Sequence, residues 1–450
     1  MFSDTAVDVL PGCLWSTGAV APGWHRRVRG RAGVTAGFHR RSGLLHCEDL
    51  ALDRLAADYG TPAYVYSLAQ LRENFSAYQR SLADRPHLIC YAVKANSNLA
   101  LLAELAQLGS GFDIVSGGEL ARVVAAGGDP AKVVFSGVGK SLDEMEQALR
   151  AGIRCFNIES ESELDALAKL AERLQTRAPI SIRVNPDVDA QTHPYISTGL
   201  KQNKFGVDAE TALRLYRVAR DSDFLTPVGI DCHIGSQILD TGPFEQSIAC
   251  LQDLIHELAI LDIELLHIDV GGGLGVAYNG ESAPSIAQFA AEISRLTQAE
   301  NLELVLEPGR SIVANAGALV TQITYLKRQQ QHRFAIVDAA MNDLLRPALY
   351  DAWQDIQVVQ EAGGEAEVWD IVGPVCETGD FLGKERVLSL HEGCLLAVLD
   401  AGAYGFSMAS NYNSRPRPVE LLIDGDSAHV IGERESLSDL WARERLAPGR

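Results

Sequence analysis

The sequence has little positive charge, with 39 lysine and arginine residues against 59 aspartate and glutamate residues and a net charge of −20. Nucleic-acid backbones and anionic membrane surfaces attract proteins that carry a positive field, so we expect neither partner and favour a small-molecule substrate. A run of about 18 apolar residues, the length that spans a bilayer as a helix, is also missing. We therefore predict no transmembrane helix.

Closely spaced cysteines are lacking too. The eight cysteines at positions 13, 47, 90, 155, 232, 250, 376 and 394 form no CxxC pair. A chain of 450 residues can bury a large core and does not need disulfides to fold. We predict reduced thiols, a cytoplasmic protein and no bound metal.

The N-terminal segment differs in composition from the rest of the chain. It contains the basic cluster HRRVRGR at 25–31 and only two acidic residues, Asp4 and Asp8, in its first 40 positions. Proline and glycine interrupt its apolar stretches, which excludes a secretory signal. We expect residues 1–42 to be a flexible extension outside the fold, with an organelle transit peptide as the alternative.

Short β-branched runs alternate with amphipathic helical patterns between about residues 86 and 310. This alternation indicates βα units and a parallel sheet. Eight such units match a (β/α)8 TIM-like barrel, and an open doubly wound sheet is the alternative. The runs are LICYAV, FDIV, KVVFS, CFNI, ISIRV, VGIDCHI, LLHIDV and LELVLE.

The length and the change of pattern predict two domains in an α/β protein. We assign 69–315 to the barrel and 316–450, with its short strands and Gly, Pro and Asn turns, to a β-sandwich or β-barrel domain. Segment 43–68 contains the strand-like AYVY, which we expect to join the β domain. The polar, glycine-containing loop 189–206 is a candidate lid, although an ordinary surface loop explains it nearly as well.

Polar or glycine residues follow nearly every predicted barrel strand. In a barrel these positions meet at the C-terminal end, where active sites lie. They are Lys94, Asp113, Ser116, Ser136, Glu159, Asn185, His233, Ser236, Gly271 to Gly273, Glu307 and Arg310.

Two of these positions indicate particular chemistry. Lys94 ends a strongly apolar strand, and burial there would lower its proton affinity and free the amine to attack an aldehyde. Gly271, Gly272, Gly273 and Gly309 in DVGGGLG and EPGR would allow backbone N–H groups to approach a phosphate. Taken alone, a lysine at a strand end or a glycine run is more often structural.

Seven segments in order give the sequence its resemblance to a known family. YAVKAN, GFDIVSGGEL, CHIGSQ, DVGGGLG, EPGRSIVANAG, GPVCETGD and GAYGFSMASNYNSRPRP resemble the fold-type III pyridoxal-phosphate (PLP) decarboxylases, over about residues 43 to 430. The resemblance implies a (β/α)8 barrel followed by a β domain, PLP as cofactor, and a homodimer whose active sites are shared between subunits.

The resemblance also implies roles for residues around the cofactor. Lys94 would hold PLP, Glu307 would pair with the pyridine nitrogen, and His233 would lie against the ring. Ser236 would contact the phosphate, as would the glycine loops with Arg310 and Tyr404. Asp113 and Arg183 match residues near the cofactor in the family.

Further residues would select the substrate. By resemblance, Arg310 and Arg346 bind a distal carboxylate, and Glu377 binds a distal amine. Tyr404 and Tyr350 would also approach the substrate; Tyr350 shares a face with Arg346 if that stretch is helical. Cys376, from the second subunit, would protonate the carbanion.

We therefore expect a carboxy-lyase that converts meso-2,6-diaminoheptanedioate (meso-diaminopimelate) to L-lysine and CO2, the last step of lysine biosynthesis. A decarboxylase of ornithine, arginine or a carboxy-polyamine is the alternative within the family. A racemase on a similar barrel is disfavoured because the long β domain does not resemble that branch. A non-catalytic relative that binds a partner protein should have lost the lysine, the phosphate glycines or the thiol. This sequence keeps all three, which disfavours that alternative.

Overall fold

The computed structural model describes most of the chain. The described residues are 37–188, 203–298, 301–330, 332–361 and 363–447. Most of the expected extension (1–36) and of the candidate lid (189–202) therefore lies outside the described residues. Among the described helices, none is both long enough and apolar enough to cross a membrane.

A small antiparallel sheet precedes the barrel. Ser42 and Gly43 connect its first two strands with positive φ values of 51° and 80°, the pattern of a type I′ hairpin turn. Leu45 and Cys47 are buried against the β domain. The expected end of the extension at residue 42 is thus wrong, because this turn and these apolar side chains already fix the chain from Phe38 onward. The elements of this region are β1 (Phe38–Arg41), β2 (Leu44–Cys47), β3 (Leu50–Ala51), α1 (Leu52–Tyr59) and β4 (Ala63–Ser67).

Eight parallel strands in the described part close into a barrel, in which β12 pairs with β5. Each strand overlaps one of the eight predicted β-branched runs, so the predicted TIM-like barrel is confirmed. The strands are β5 (His87–Ala92), β6 (Gly111–Ile114), β7 (Val133–Phe135), β8 (Cys155–Ile158), β9 (Ala178–Arg183), β10 (Leu225–Asp231), β11 (His267–Asp269) and β12 (Glu303–Leu306).

Helices connect the strands, and polar side chains fix where many of them begin. Side-chain oxygens accept hydrogen bonds from first-turn N–H groups that would otherwise lack partners; the capping residues are Ser67, Asn98, Ser116, Ser141, Ser160, Asp208 and Ser285. Ser116 therefore has a structural role. The helices are α2 (Leu68–Ser81), α3 (Leu99–Gln107), α4 (Gly117–Ala125), α5 (Leu142–Ala151), α6 (Glu161–Leu174), α7 (Ala209–Arg220), α8 (Gly242–Ile260), α9 (Ile286–Leu296) and α10 (Arg310–Val313).

The C-terminal part is a β-sheet domain. Its long first strand, β13, pairs with β4 and β18 along its first half and with β14 along its second half. Strand β13 therefore connects the strands next to β4 and β18 with those next to β14. Strand β4 lies between β13 and β19, which connects segment 43–68 to this domain. The elements are β13 (Gly317–Arg328), β14 (Arg333–Val337), α11 (Arg346–Tyr350), β15 (Ile356–Val358), β16 (Glu367–Val372), β17 (Phe381–Leu388), β18 (Leu395–Val398), β19 (Val419–Asp424) and β20 (Ser427–Gly432).

Candidate active site

A cavity lies at the C-terminal ends of the barrel strands. Its lining combines barrel residues with Arg346, Tyr350 and Tyr404 from the β domain, so both domains build one site. Gly235 and Met408, which were not predicted, also line it. The predicted site residues in the lining are Lys94, His233, Ser236, Gly273, Glu307, Gly309, Arg310, Arg346, Tyr350 and Tyr404.

Lys94 follows β5 and reaches the cavity. Its Nζ donates a hydrogen bond of 2.5 Å to Oδ2 of Asp113, a buried carboxylate on β6. Burial alone would lower the pKa of Lys94, but the negative charges of Asp113 and Glu307 outweigh burial and raise the pKa above its ordinary value. The expected depression of this pKa is therefore wrong for the free chain, whose lysine carries a proton.

Glu307, directly after β12, is a buried anion. Its Oε1 accepts hydrogen bonds from Ser136 Oγ at 3.4 Å and Asn157 Nδ2 at 3.3 Å. Burial would raise its pKa, but the hydrogen bond from His233 and the charges of Lys94 and Arg183 lower it. Glu307 thus stays ionised, which suits a protonated nitrogen facing it.

His233 lies beside Glu307 after β10. Its Nδ1 is 3.5 Å from Oε2 of Glu307 and 3.4 Å from the backbone nitrogen of Gly272. Nδ1 can donate to the carboxylate or accept from the amide, one at a time, so the tautomer decides which contact forms. Burial lowers the pKa of His233, as do the positive charges of Arg183 and Lys94, and a neutral imidazole results.

Two further carboxylates lie next to Glu307. Oxygen atoms of Asp231, Asp269 and Glu307 all lie within 4.8 Å of one another and could together hold a metal ion. Burial and the charge of Glu307 raise the pKa of Asp231 and of Asp269 well above the ordinary range, which favours protonated carboxyls at these positions. The absence of a bound metal stays a prediction.

The glycine loop after β11 packs tightly against neighbouring strand ends. A Cβ on Gly272 would lie 2.2 Å from the carbonyl oxygen of Glu307, and one on Gly271 would lie 2.5 Å from Nδ1 of His233. Asp269 Oδ1 accepts a 2.9 Å hydrogen bond from the N–H of Gly271. These glycines are therefore required by contacts within the protein, and Gly273 and Gly309 in addition expose backbone to the cavity.

Arg183 lies behind the cavity lining. Its Nη1 donates a 2.9 Å hydrogen bond to Oε1 of Glu159. Glu159 also accepts from the N–H groups of Gly137 and Gly206, at 2.8 Å and 3.0 Å. Glu159 thus ties three loops of the barrel mouth together and holds Arg183, a role that the sequence analysis did not assign.

Two buried guanidinium groups line the cavity, Arg310 from the barrel and Arg346 from the β domain. Arg310 donates to Ser236 Oγ at 2.9 Å and to Tyr278 Oη at 3.0 Å. Arg310 Nε and Arg346 Nη1 are buried without a hydrogen-bond partner in the described part of the chain, and neither guanidinium has a described carboxylate within 4.0 Å. Buried cations that form no ion pair with a described carboxylate favour an anionic ligand.

Cys376 and Glu377 are predicted site residues that a single chain leaves away from the cavity. Asp113, Arg183, Gly271 and Gly272 are also absent from the cavity lining, but they contact residues that line it. Cys376 and Glu377 are both exposed in the loop after β16. The backbone N–H of Cys376 donates to Asn413 Oδ1 at 2.7 Å, and Glu377 accepts a hydrogen bond from the Tyr412 hydroxyl. The loop is therefore held in place, but away from the cavity lining of its own chain.

The comparisons with known proteins agree with the predicted resemblance. The family described as "Pyridoxal-dependent decarboxylase, pyridoxal binding domain" matches residues 68–314. The diaminopimelate decarboxylase of Vibrio cholerae is 56% identical over 411 residues, which cover 91% of this chain and 99% of the relative. The relative from Pseudomonas aeruginosa is 54% identical, with the same coverage.

Solved structures show the same similarity. The diaminopimelate decarboxylase of Helicobacter pylori complexed with L-lysine is 46% identical, with a TM-score of 0.85 over 87% of this chain and 99% of that one. The enzyme of M. jannaschii is 37% identical, with a TM-score of 0.88 over 92% and 98%. This chain therefore belongs to the family of pyridoxal-dependent decarboxylases that contains the diaminopimelate decarboxylases.

Proposed function

We propose that this protein decarboxylates meso-2,6-diaminoheptanedioate to L-lysine and CO2. The observation that carries the proposal is the cavity itself. Its lining has Lys94 and the Glu307 anion together with two buried guanidiniums, Arg310 from the barrel and Arg346 from the β domain, which form no ion pair within the described residues. The reaction breaks the bond from one α-carbon to its carboxylate carbon, and one proton replaces the lost CO2. The carboxylate at the other end of the substrate remains in the product.

The residues of the cavity fit PLP. Lys94 would hold the cofactor through Nζ, Glu307 would keep a proton on the ring nitrogen, and neutral His233 would cover the ring. Ser236, with the backbone exposed at Gly273 and Gly309, would receive the phosphate, and the orphaned Nε of Arg310 adds a buried donor. When bound, PLP supplies an electron sink for the pair left by bond cleavage.

The arginine pair favours a substrate with a distal carboxylate. Guanidinium groups bind carboxylates with two parallel hydrogen bonds, and neither group here forms an ion pair with a described carboxylate. A substrate of the ornithine type would place an ammonium against two cations, which costs free energy. The similarity to the lysine decarboxylase of Selenomonas ruminantium, at 25% identity, does not offset this argument.

We further propose a homodimer whose active sites are shared. The exposed loop with Cys376 and Glu377 cannot serve the cavity of its own chain as it stands, so a second copy would supply it. Glu377 of that copy, held by the Tyr412 hydroxyl, would bind the distal amine. The Cys376 thiol would then donate the proton to the α-carbon.

A cytoplasmic location fits the cysteines. The seven cysteines in the described part of the chain are free thiols, and thiols persist in a reducing compartment. We therefore propose the cytoplasm as the site of action.

The first experiment measures CO2 release by the purified, PLP-loaded protein with meso-diaminopimelate, L-ornithine and L-arginine supplied separately. We expect release from meso-diaminopimelate only, and none from a Lys94→Ala variant. Release from ornithine or arginine would overturn the substrate assignment while keeping the chemistry. No release from any of the three would overturn the proposed activity.

A mixing experiment tests the shared site. Lys94→Ala and Cys376→Ala should each be nearly inactive alone, because each removes a group that every site needs. In a mixed dimer one of the two sites contains both native residues, so random mixing should restore about one quarter of wild-type activity. Absence of restoration, with dimers verified by sedimentation, would place both residues in the same chain.

A further inference from the structure

Tyr278 contacts both guanidiniums of the arginine pair. Its ring centroid lies 6.0 Å from Cζ of Arg310 and 4.7 Å from Cζ of Arg346. Its hydroxyl oxygen accepts a 3.0 Å hydrogen bond from Nη1 of Arg310. The ring of Tyr404 lies 5.0 Å from the same Arg310 guanidinium, so that two aromatic rings and two cations form one cluster.

This arrangement addresses an electrostatic problem. Arg310 and Arg346 are each only 6% exposed, and two buried cations near each other repel. Burial lowers the pKa of Arg346 and the charge of Arg310 lowers it further, whereas Tyr278 acts in the opposite direction. The face of an aromatic ring attracts cations, most strongly where water is excluded, so Tyr278 offsets part of the repulsion without neutralising either guanidinium.

Tyr278 itself does not touch the ligand space. It lies in the loop after β11, is 7% exposed and is not part of the cavity lining. A carboxylate in place of Tyr278 would pair with the arginines and remove their attraction for a ligand. A neutral aromatic residue with one hydrogen-bond acceptor holds the two groups and leaves their positive charge available.

We propose that Tyr278 is a specificity-determining positioning residue that holds Arg310 and Arg346 ready for the distal carboxylate of the substrate. This inference rests on the proposed function. It assigns to Tyr278 the discrimination between ligands that carry this carboxylate and ligands that lack it.

The test compares two variants with two probes. Tyr278→Phe keeps the ring and loses the hydroxyl acceptor, whereas Tyr278→Leu loses both. The probes are L-lysine, which has the distal carboxylate, and 1,5-diaminopentane, which is L-lysine without it. Binding of each probe to the PLP-loaded protein is measured by calorimetry, and KM and kcat are measured with meso-diaminopimelate. Tyr325→Leu, at a tyrosine that is 62% exposed on β13, is the matched control.

We expect Tyr278→Leu to weaken L-lysine binding and to raise KM by roughly 10-fold or more, which corresponds to the strength of cation–π interactions in a site that excludes water. Tyr278→Phe should give a smaller change in the same direction. Binding of 1,5-diaminopentane, kcat at saturation and the absorbance of the lysine-bound cofactor should stay near wild-type values. Tyr325→Leu should change none of these quantities.

Other outcomes overturn the inference. Unchanged L-lysine binding in both variants would show that the arginines need no support from Tyr278. An equal loss of binding for both probes would show a general structural role. If Tyr278→Leu does not fold, Tyr278→Phe provides the test, since it should weaken the binding of L-lysine more than the binding of 1,5-diaminopentane. Failure of the proposed function is a separate result, because wild-type protein would then release no CO2 from meso-diaminopimelate.

Discussion

The amine of Lys94 donates a 2.5 Å hydrogen bond to the buried carboxylate of Asp113. This pair, with Glu307 nearby, keeps a proton on the lysine of the free chain. An amine must lose its proton before it attacks an aldehyde. The rate at which Lys94 captures the cofactor therefore depends on how far Asp113 and Glu307 raise the pKa of its amine.

An Asp113→Asn variant tests this dependence. Burial lowers the pKa of Lys94, and the negative charge of Asp113 opposes this effect. Removing that charge should therefore lower the pKa of Lys94. The rate of PLP capture, followed by the visible absorbance of the lysine-bound cofactor, should reach half of its maximum at a pH lower by about 1 unit or more. Lys94→Ala is the control, because it should show no absorbance of lysine-bound cofactor. An unchanged midpoint would mean that Asp113 does not control the proton.

A Gly272→Ala variant tests the packing of the glycine loop. The new methyl group would lie 2.2 Å from the carbonyl oxygen of Glu307, so either the loop or β12 must move. We expect a loss of about 1 to 3 kcal/mol in the free energy of unfolding, typical of overpacking, together with weaker PLP binding. Gly139→Ala is the control, since its Cβ would meet nothing within 4 Å. Equal stability of both variants would contradict the observed packing.

Much of the fold could be predicted because each barrel strand is a compact β-branched run, and the strand ends place their polar residues by topology alone. The hairpin of β1 and β2 was missed because its signals are weak. It has four-residue strands and a Ser-Gly turn, and it follows a segment of unusual composition. Its stability comes from Leu45 and Cys47, which pack on a domain whose other strands lie hundreds of residues away.

The site was predicted less completely, because several residues act through partners distant in sequence. Asn157 and Asp231 are polar residues inside apolar strand runs, and that contrast could have marked them. Glu159 was noted at a strand end, but its bond to Arg183 depends on the neighbouring strand. Tyr278 carries no local signal, since its importance follows from two arginines on other elements.

The role of Glu159 in holding Arg183 and the loops of the barrel mouth can be tested by Glu159→Gln. The change removes the nearest negative charge from Arg183, whose side chain is only 8% exposed, and leaves this buried cation with Asp231 at 3.9 Å. We expect the free energy of unfolding to fall by about 3 kcal/mol, and PLP binding to weaken because Arg183 supports His233 through its carbonyl oxygen. Glu161→Gln removes an exposed ion pair with Arg214 and should have no measurable effect. Similar results for the two variants would exclude this role of Glu159.

The pH dependence of stability has a separate source in His267, the first residue of β11. Burial and the positive charge of Arg154 lower its pKa from 6.5 to about 3. Below pH 6.5 the unfolded chain takes up a proton at this histidine that the folded chain refuses, so stability present above that pH is lost as the pH falls toward 3.

Between pH 7 and pH 5 this loss amounts to about 2 kcal/mol, at 1.36 kcal/mol per pKa unit. A His267→Gln variant should lose correspondingly less stability over that interval, measured by urea unfolding at each pH. The raised pKa values of Asp231 and Asp269 act in the opposite direction, but they are present in both proteins and cancel in the difference. His256→Gln, at an exposed position of α8, should keep the wild-type slope. If His267→Gln also keeps that slope, His267 accepts a proton in the folded chain, and the burial of its ring cannot be the source of acid sensitivity.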